Sequence, residues 1–87
     1  MNNNLIENAT MQDVFEWILA NGGNPGMDTA GLETLIVMNR CPYRLTQFCS
    51  FDEDGVNFAI AHHGHAFSNN DGNYSACHDE FVQMYCR

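Results

Sequence analysis

A chain of 87 residues, 45% hydrophobic and 11% aromatic, can bury the core of one domain spanning 1–87 and is not composed like a disordered acidic tail. Eleven acids stand against three basic residues, Arg40, Arg44 and Arg87, with no lysine, for a formal net charge of −8. That balance speaks against direct binding of nucleic acid phosphates or an anionic membrane and favours a basic protein surface as partner.

The first element is a helix opened by a capping box, with Thr10 as N-cap and Asp13 three residues on. Met11, Val14, Phe15, Ile18 and Leu19 recur at the spacing of one buried face, and Gly22 and Gly23 end the pattern. Asp13 and Glu16 fall outside the stripe and Trp17 at its edge, so these three form one candidate partner-binding patch. The competing role for Trp17 is to be covered by Leu5 and Ile6.

Residues 21–28 read as a loop from their Gly and Pro content. Leu32, Leu35, Ile36 and Asn39 then fit a helix capped at Asp28 or Thr29, while residues 34–38 fit a short buried strand equally well. The helix is the preferred reading. Cys41-Pro42 breaks the chain.

A hairpin follows. Tyr43, Leu45, Cys49 and Phe51 alternate inward over 43–51, with Gln47 and Phe48 disturbing the register, and Val56, Phe58 and Ile60 alternate inward over 56–60. Asp52, Glu53, Asp54 and Gly55 form the connecting turn, which makes three solvated acids the second candidate partner site. Residues 65–68 supply a possible third strand, and 69–73 another turn. The last helix starts near Ser75, with Asp79 and Glu80 at its positive end as the third candidate site and Arg87 at its negative end. Cys77, Phe81, Met84 and Tyr85 make its buried stripe, which turns Val82 and Cys86 outward as a small apolar patch suited to a homodimer contact. The expected architecture is α+β: two or three antiparallel strands packed with an N-terminal and a C-terminal amphipathic helix.

Three motifs invite chemistry. His62, His63 and His65 crowd four positions, and on a strand His63 and His65 would share a face, with Cys77 or His78 as a third zinc ligand and Cys41 or Cys49 as a fourth. The scattered spacing and Gly64 argue against that site, so no metal or other cofactor is expected. A nucleophilic pair of Cys77 with His63 or His65 lacks any flanking signature, so no enzyme is expected. Calcium frames counted from Gly55 and Gly72 fail at positions 1 and 12.

Residues 1–20 carry three acids and no basic segment, so no secretory signal is expected and a reducing cytoplasm is. The cysteines, Cys41, Cys49, Cys77 and Cys86, contain no C-x2-C pair, and all four are expected as free thiols, Cys86 exposed and Cys77 buried. The functional expectation is a small acidic binding protein that occludes the nucleic-acid-binding surface of a basic partner. Phage-encoded anti-CRISPR and anti-restriction inhibitors share this composition, although no motif here belongs to them. A zinc module and a non-catalytic subunit of a larger assembly are the alternatives.

Overall fold

The computed structural model describes residues 4–53, 55–68 and 74–87, the side chains of Asp52 and Ser68 excepted. Asp54 and the turn expected at 69–73 lie outside the described residues.

Helix α1 (Met11–Ala20) starts where the sequence places it. Asp13 N donates to Thr10 Oγ1 at 3.1 Å, and Thr10 N donates to Asp13 Oδ2 at 3.0 Å. Val14, Phe15 and Ile18 are fully buried, but Met11 and Leu19 are 45% and 42% exposed, so the buried stripe is narrower than expected.

Residues 30–39 are helical: α2 (Thr29–Met38) is capped by Asp28, whose Oδ1 accepts from Gly31 N at 2.7 Å. Its buried residues are Thr29, Leu32, Glu33, Ile36 and Val37. That is a complete i, i+3, i+4, i+7, i+8 stripe with a carboxylate in the middle.

The sheet holds three antiparallel strands in the order β1 (Cys49–Asp52), β2 (Gly55–His62), β3 (His65–Ser68). The fold is therefore α+β, with α1 packed on β2 and α2 on the last helix. Phe15, Phe58, Ile60, Phe67, Phe81 and Tyr85 are among the buried residues of the shared core.

The first strand is shorter than the alternation of 43–51 implies. Thr46–Phe48 form a 3-10 turn, closed by Phe48 N donating to Leu45 O at 2.9 Å, which explains why Gln47 and Phe48 break the pattern. Tyr43 instead forms a parallel bridge with Ile6, flanked by Ile6 N donating to Pro42 O and Arg44 N donating to Ile6 O, both at 2.8 Å. Phe51, expected inward, sits on the edge strand and is 48% exposed.

The last helix, α3 (His78–Phe81), continues as a π-helical segment, Val82–Cys86. Widening each turn to i→i+5 bonds gathers neighbouring pairs onto one face. Phe81, Val82, Tyr85 and Cys86 are consequently all buried, and the outward Val82–Cys86 patch expected from α-helical spacing does not exist. A disulfide joins Cys86 to Cys49. Leu45 N also donates to Tyr85 O at 2.9 Å, Tyr85 Oη donates to Cys41 O at 3.0 Å, and the Arg44 guanidinium donates to the Arg87 carbonyl. The expectation of four free thiols thus fails for one pair: Cys41, buried, and Cys77, half-buried, are the free cysteines. Burial pushes the Cys41 thiol up to about 11, against a smaller lowering by a backbone hydrogen bond from Tyr43. No helix among the described residues is long and apolar enough to cross a membrane.

Candidate functional site

The histidine cluster resolves into a hairpin turn. His62 ends β2 and pairs across the strands with His65, which opens β3. His63 and Gly64 form the two-residue connection with φ of 49° and 82°, the left-handed pair that a type I′ turn requires. His63 therefore shares no strand face with His65, contrary to the zinc geometry expected from alternation. The His62 and His63 rings lie 3.9 Å apart, and His62 Nε2 approaches Glu16 at 3.8 Å. His78 and Cys77 belong to the start of α3, and among the described residues no group of three or more His, Cys, Asp or Glu side chains is arranged to hold a metal.

Glu33 is where sequence reasoning missed a site. It is fully buried. Its Oε1 accepts from Ser75 N at 3.2 Å and from Ser75 Oγ at 3.1 Å, and its Oε2 lies 2.9 Å from His78 Nδ1. The Ser75 hydroxyl also accepts from Cys77 N at 3.1 Å, so this residue ties the buried carboxylate to the entry of α3. With Glu33 ionised, His78 Nδ1 carries the proton it donates, and Nε2 is turned away from the carboxylate. The ring of Tyr74 lies 4.1 Å from that of His78. The signal was in the sequence: a glutamate on the i+4 position of an apolar stripe needs a buried partner, and carboxylates are almost never fully buried without one.

His78 borders a cleft of about 220 Å³ at the Gly55 end of the sheet. Val56 and Val82 are its buried residues, and Phe51, Gly55, His78, Asp79, Gln83 and Arg87 complete the lining. The Arg87 guanidinium lies over the Phe51 ring, 4.8 Å from its centroid, a contact contributing about 0.5–1 kcal/mol at an exposed position. A larger groove of about 670 Å³ along α2 is mostly apolar, with Met27, Ala30, Leu35 and Met38 among its residues.

The three candidate partner sites separate into two regions. Asp79 at the start of α3 meets the base of the first hairpin, where Phe51 and Gly55 share its cleft, and Glu53 in the connecting turn and Glu80 are exposed. Glu16 stands beside His62, at the other end of β2, about 23 Å away at the rise of a strand. Asp13 is exposed, and Trp17 is half-buried against the core rather than projecting from it. Leu5 is partly buried, while Ile6 stays 50% exposed.

No family model, no curated protein and no solved structure matches this chain.

Proposed function

We propose that this chain is a small, non-catalytic acidic binding protein that inhibits a protein partner by covering its basic, nucleic-acid-binding surface. One observation carries the reading. Glu7, Asp13, Glu16, Asp28, Glu53, Asp79 and Glu80 are all exposed, and among the described residues no carboxylate is paired with an arginine. These seven carboxylates therefore face outward, whereas Glu33 is buried against Ser75 and His78. Anti-CRISPR and anti-restriction inhibitors of phages are the functional analogues by composition, and the (host) cytoplasm is the compartment that analogy implies. The Cys49–Cys86 bridge counts the other way, since disulfides persist mainly in oxidising compartments.

The test begins with a partner captured from the source cells and measured against a triple variant combining Asp52→Asn, Glu53→Gln and Asp54→Asn. Exposed ion pairs contribute about 0.2–1 kcal/mol each and act mainly on encounter, so affinity should fall about tenfold through a slower association rate. The wild-type affinity should also weaken steeply as salt rises toward physiological ionic strength. An affinity indifferent to both salt and the triple variant would sink the reading.

A further inference from the structure

We propose that the cleft between the first hairpin and α3 is a subsite for an arginine side chain of the protein partner, and that Arg87 occupies it in the free chain. The inference rests on the acidic-occlusion reading for the identity of the partner, and on the cleft's own chemistry for the residue it takes. Three features of the cleft suit a guanidinium. Phe51, an aromatic ring 48% exposed on an edge strand, gives the flat cation a face to stack on. Asp79, exposed at the first turn of α3, supplies a carboxylate able to accept the paired N–H donors of the fork. His78 is fixed by its Nδ1 contact with the buried Glu33 at 2.9 Å, which leaves the opposite ring nitrogen as a positioned polar atom in a side chain that borders the cleft.

The chain already shows the stacking part of this fit on itself. The Arg87 side chain borders this cleft with its guanidinium 4.8 Å from the Phe51 centroid. What holds the Arg87 backbone is separate, namely the bond from Arg44 to its carbonyl and the neighbouring Cys86 bridge to Cys49. The side chain can therefore leave the ring without unseating the helix end. A partner's arginine would displace it, and the −8 chain would trade an internal cation for an intermolecular one.

The experiment uses N-acetyl-arginine amide as probe, followed by amide chemical shifts of the whole chain, with N-acetyl-citrulline amide as the uncharged isostere. The arginine probe should shift Phe51, Gly55, His78, Asp79 and Gln83 selectively, and citrulline should not. Arg87→Ala, which keeps the backbone carbonyl, should tighten the probe at least threefold, and Asp79→Asn should weaken it at least threefold with an unchanged circular dichroism spectrum. Equal binding of citrulline, shifts spread over the surface, or an Arg87→Ala variant no tighter than wild type overturns the subsite. A nona-arginine peptide separates the two proposals. Salt-sensitive binding of that peptide that ignores Arg87→Ala and Asp79→Asn removes the subsite and leaves the acidic reading standing; no binding of the peptide at low salt removes both.

Discussion

Glu33 Oε2 lies 2.9 Å from His78 Nδ1 across 45 residues of sequence, and the contact joins the middle of α2 to the first residue of α3. The carboxylate is wholly shielded from solvent while the imidazole is 27% exposed, so the pair is satisfied from the inside and read from the outside. Removing the Glu33 carboxylate leaves the Ser75 N–H and His78 Nδ1 without their acceptor, at a cost of about 1–3 kcal/mol for a buried donor left unsatisfied. Glu33→Ala should therefore lower stability by that order in urea titration. Glu33→Gln keeps a carbonyl oxygen for Ser75 but offers an amide N–H to His78, so it should cost about 1–2 kcal/mol and move the His78 proton to Nε2. The ring nitrogen shifts of His78 report that exchange of tautomer directly. Unchanged shifts in Glu33→Gln would show that the pair is not hydrogen-bonded as described.

The disulfide closes a loop with a sequence separation of 37, long enough for loop-closure entropy to contribute about 4 kcal/mol. Alkylation of the denatured, unreduced protein should add two labels, at Cys41 and Cys77, and four after reduction. Pairing Cys49→Ala with Cys86→Ala should lower stability by about 2–4 kcal/mol while leaving the circular dichroism of the folded state close to wild type. Four labels before reduction would contradict the bridge.

How much of this was readable beforehand depends on whether a local rule decided each element. Thr10 and Asp13 mark the start of α1 because a capping box satisfies its own orphan donors without tertiary help. The Val56–Phe58–Ile60 alternation marks β2 because one face is buried along its whole length. Phe51 was misread because alternation cannot tell a central strand from an edge strand, and the edge leaves it to Arg87. Val82 and Cys86 were misread because the π-helical widening is imposed by packing and by the bridge to Cys49, neither of which leaves a local mark. Of the candidate site, the acids at the hairpin tip and at Asp79 were legible as charge. The cleft that Asp79 shares with Phe51 and Gly55 was not, since it exists only once the hairpin is set against α3.

Tyr85 and Cys41 predict an alkaline limit. Burial, with smaller contributions from Cys41 and Glu80, pushes the Tyr85 hydroxyl up to about 12, and burial raises the Cys41 thiol to about 11. Both groups are neutral in the folded state and ionise more readily once unfolded. Their contribution is complete below about pH 9 and is lost as pH rises through the folded values. Stability should decline between about pH 9 and pH 12, and the absorbance change of Tyr85 ionisation should coincide with loss of structure. Tyr85→Phe should flatten that decline while costing about 1 kcal/mol at neutral pH for the lost bond to the Cys41 carbonyl.

Gly55 offers a test of how the cleft is built. It opens β2 at a φ of 123°, a conformation that side chains rarely adopt, and a Cβ there would lie 2.6 Å from the hydroxyl oxygen of Tyr74. Two separate costs follow from Gly55→Ala: backbone strain of about 1–3 kcal/mol, and displacement of the ring that lies beside His78. A double-mutant cycle separates them. Tyr74→Phe removes the hydroxyl that the new methyl would strike, so Gly55→Ala should cost less in that background than in wild type, by about 1 kcal/mol. The backbone portion should persist in both backgrounds, because it belongs to φ alone. Strictly additive costs would mean that the Tyr74 hydroxyl is not what closes the space above Gly55, and the ring would then have to be placed elsewhere over the hairpin base.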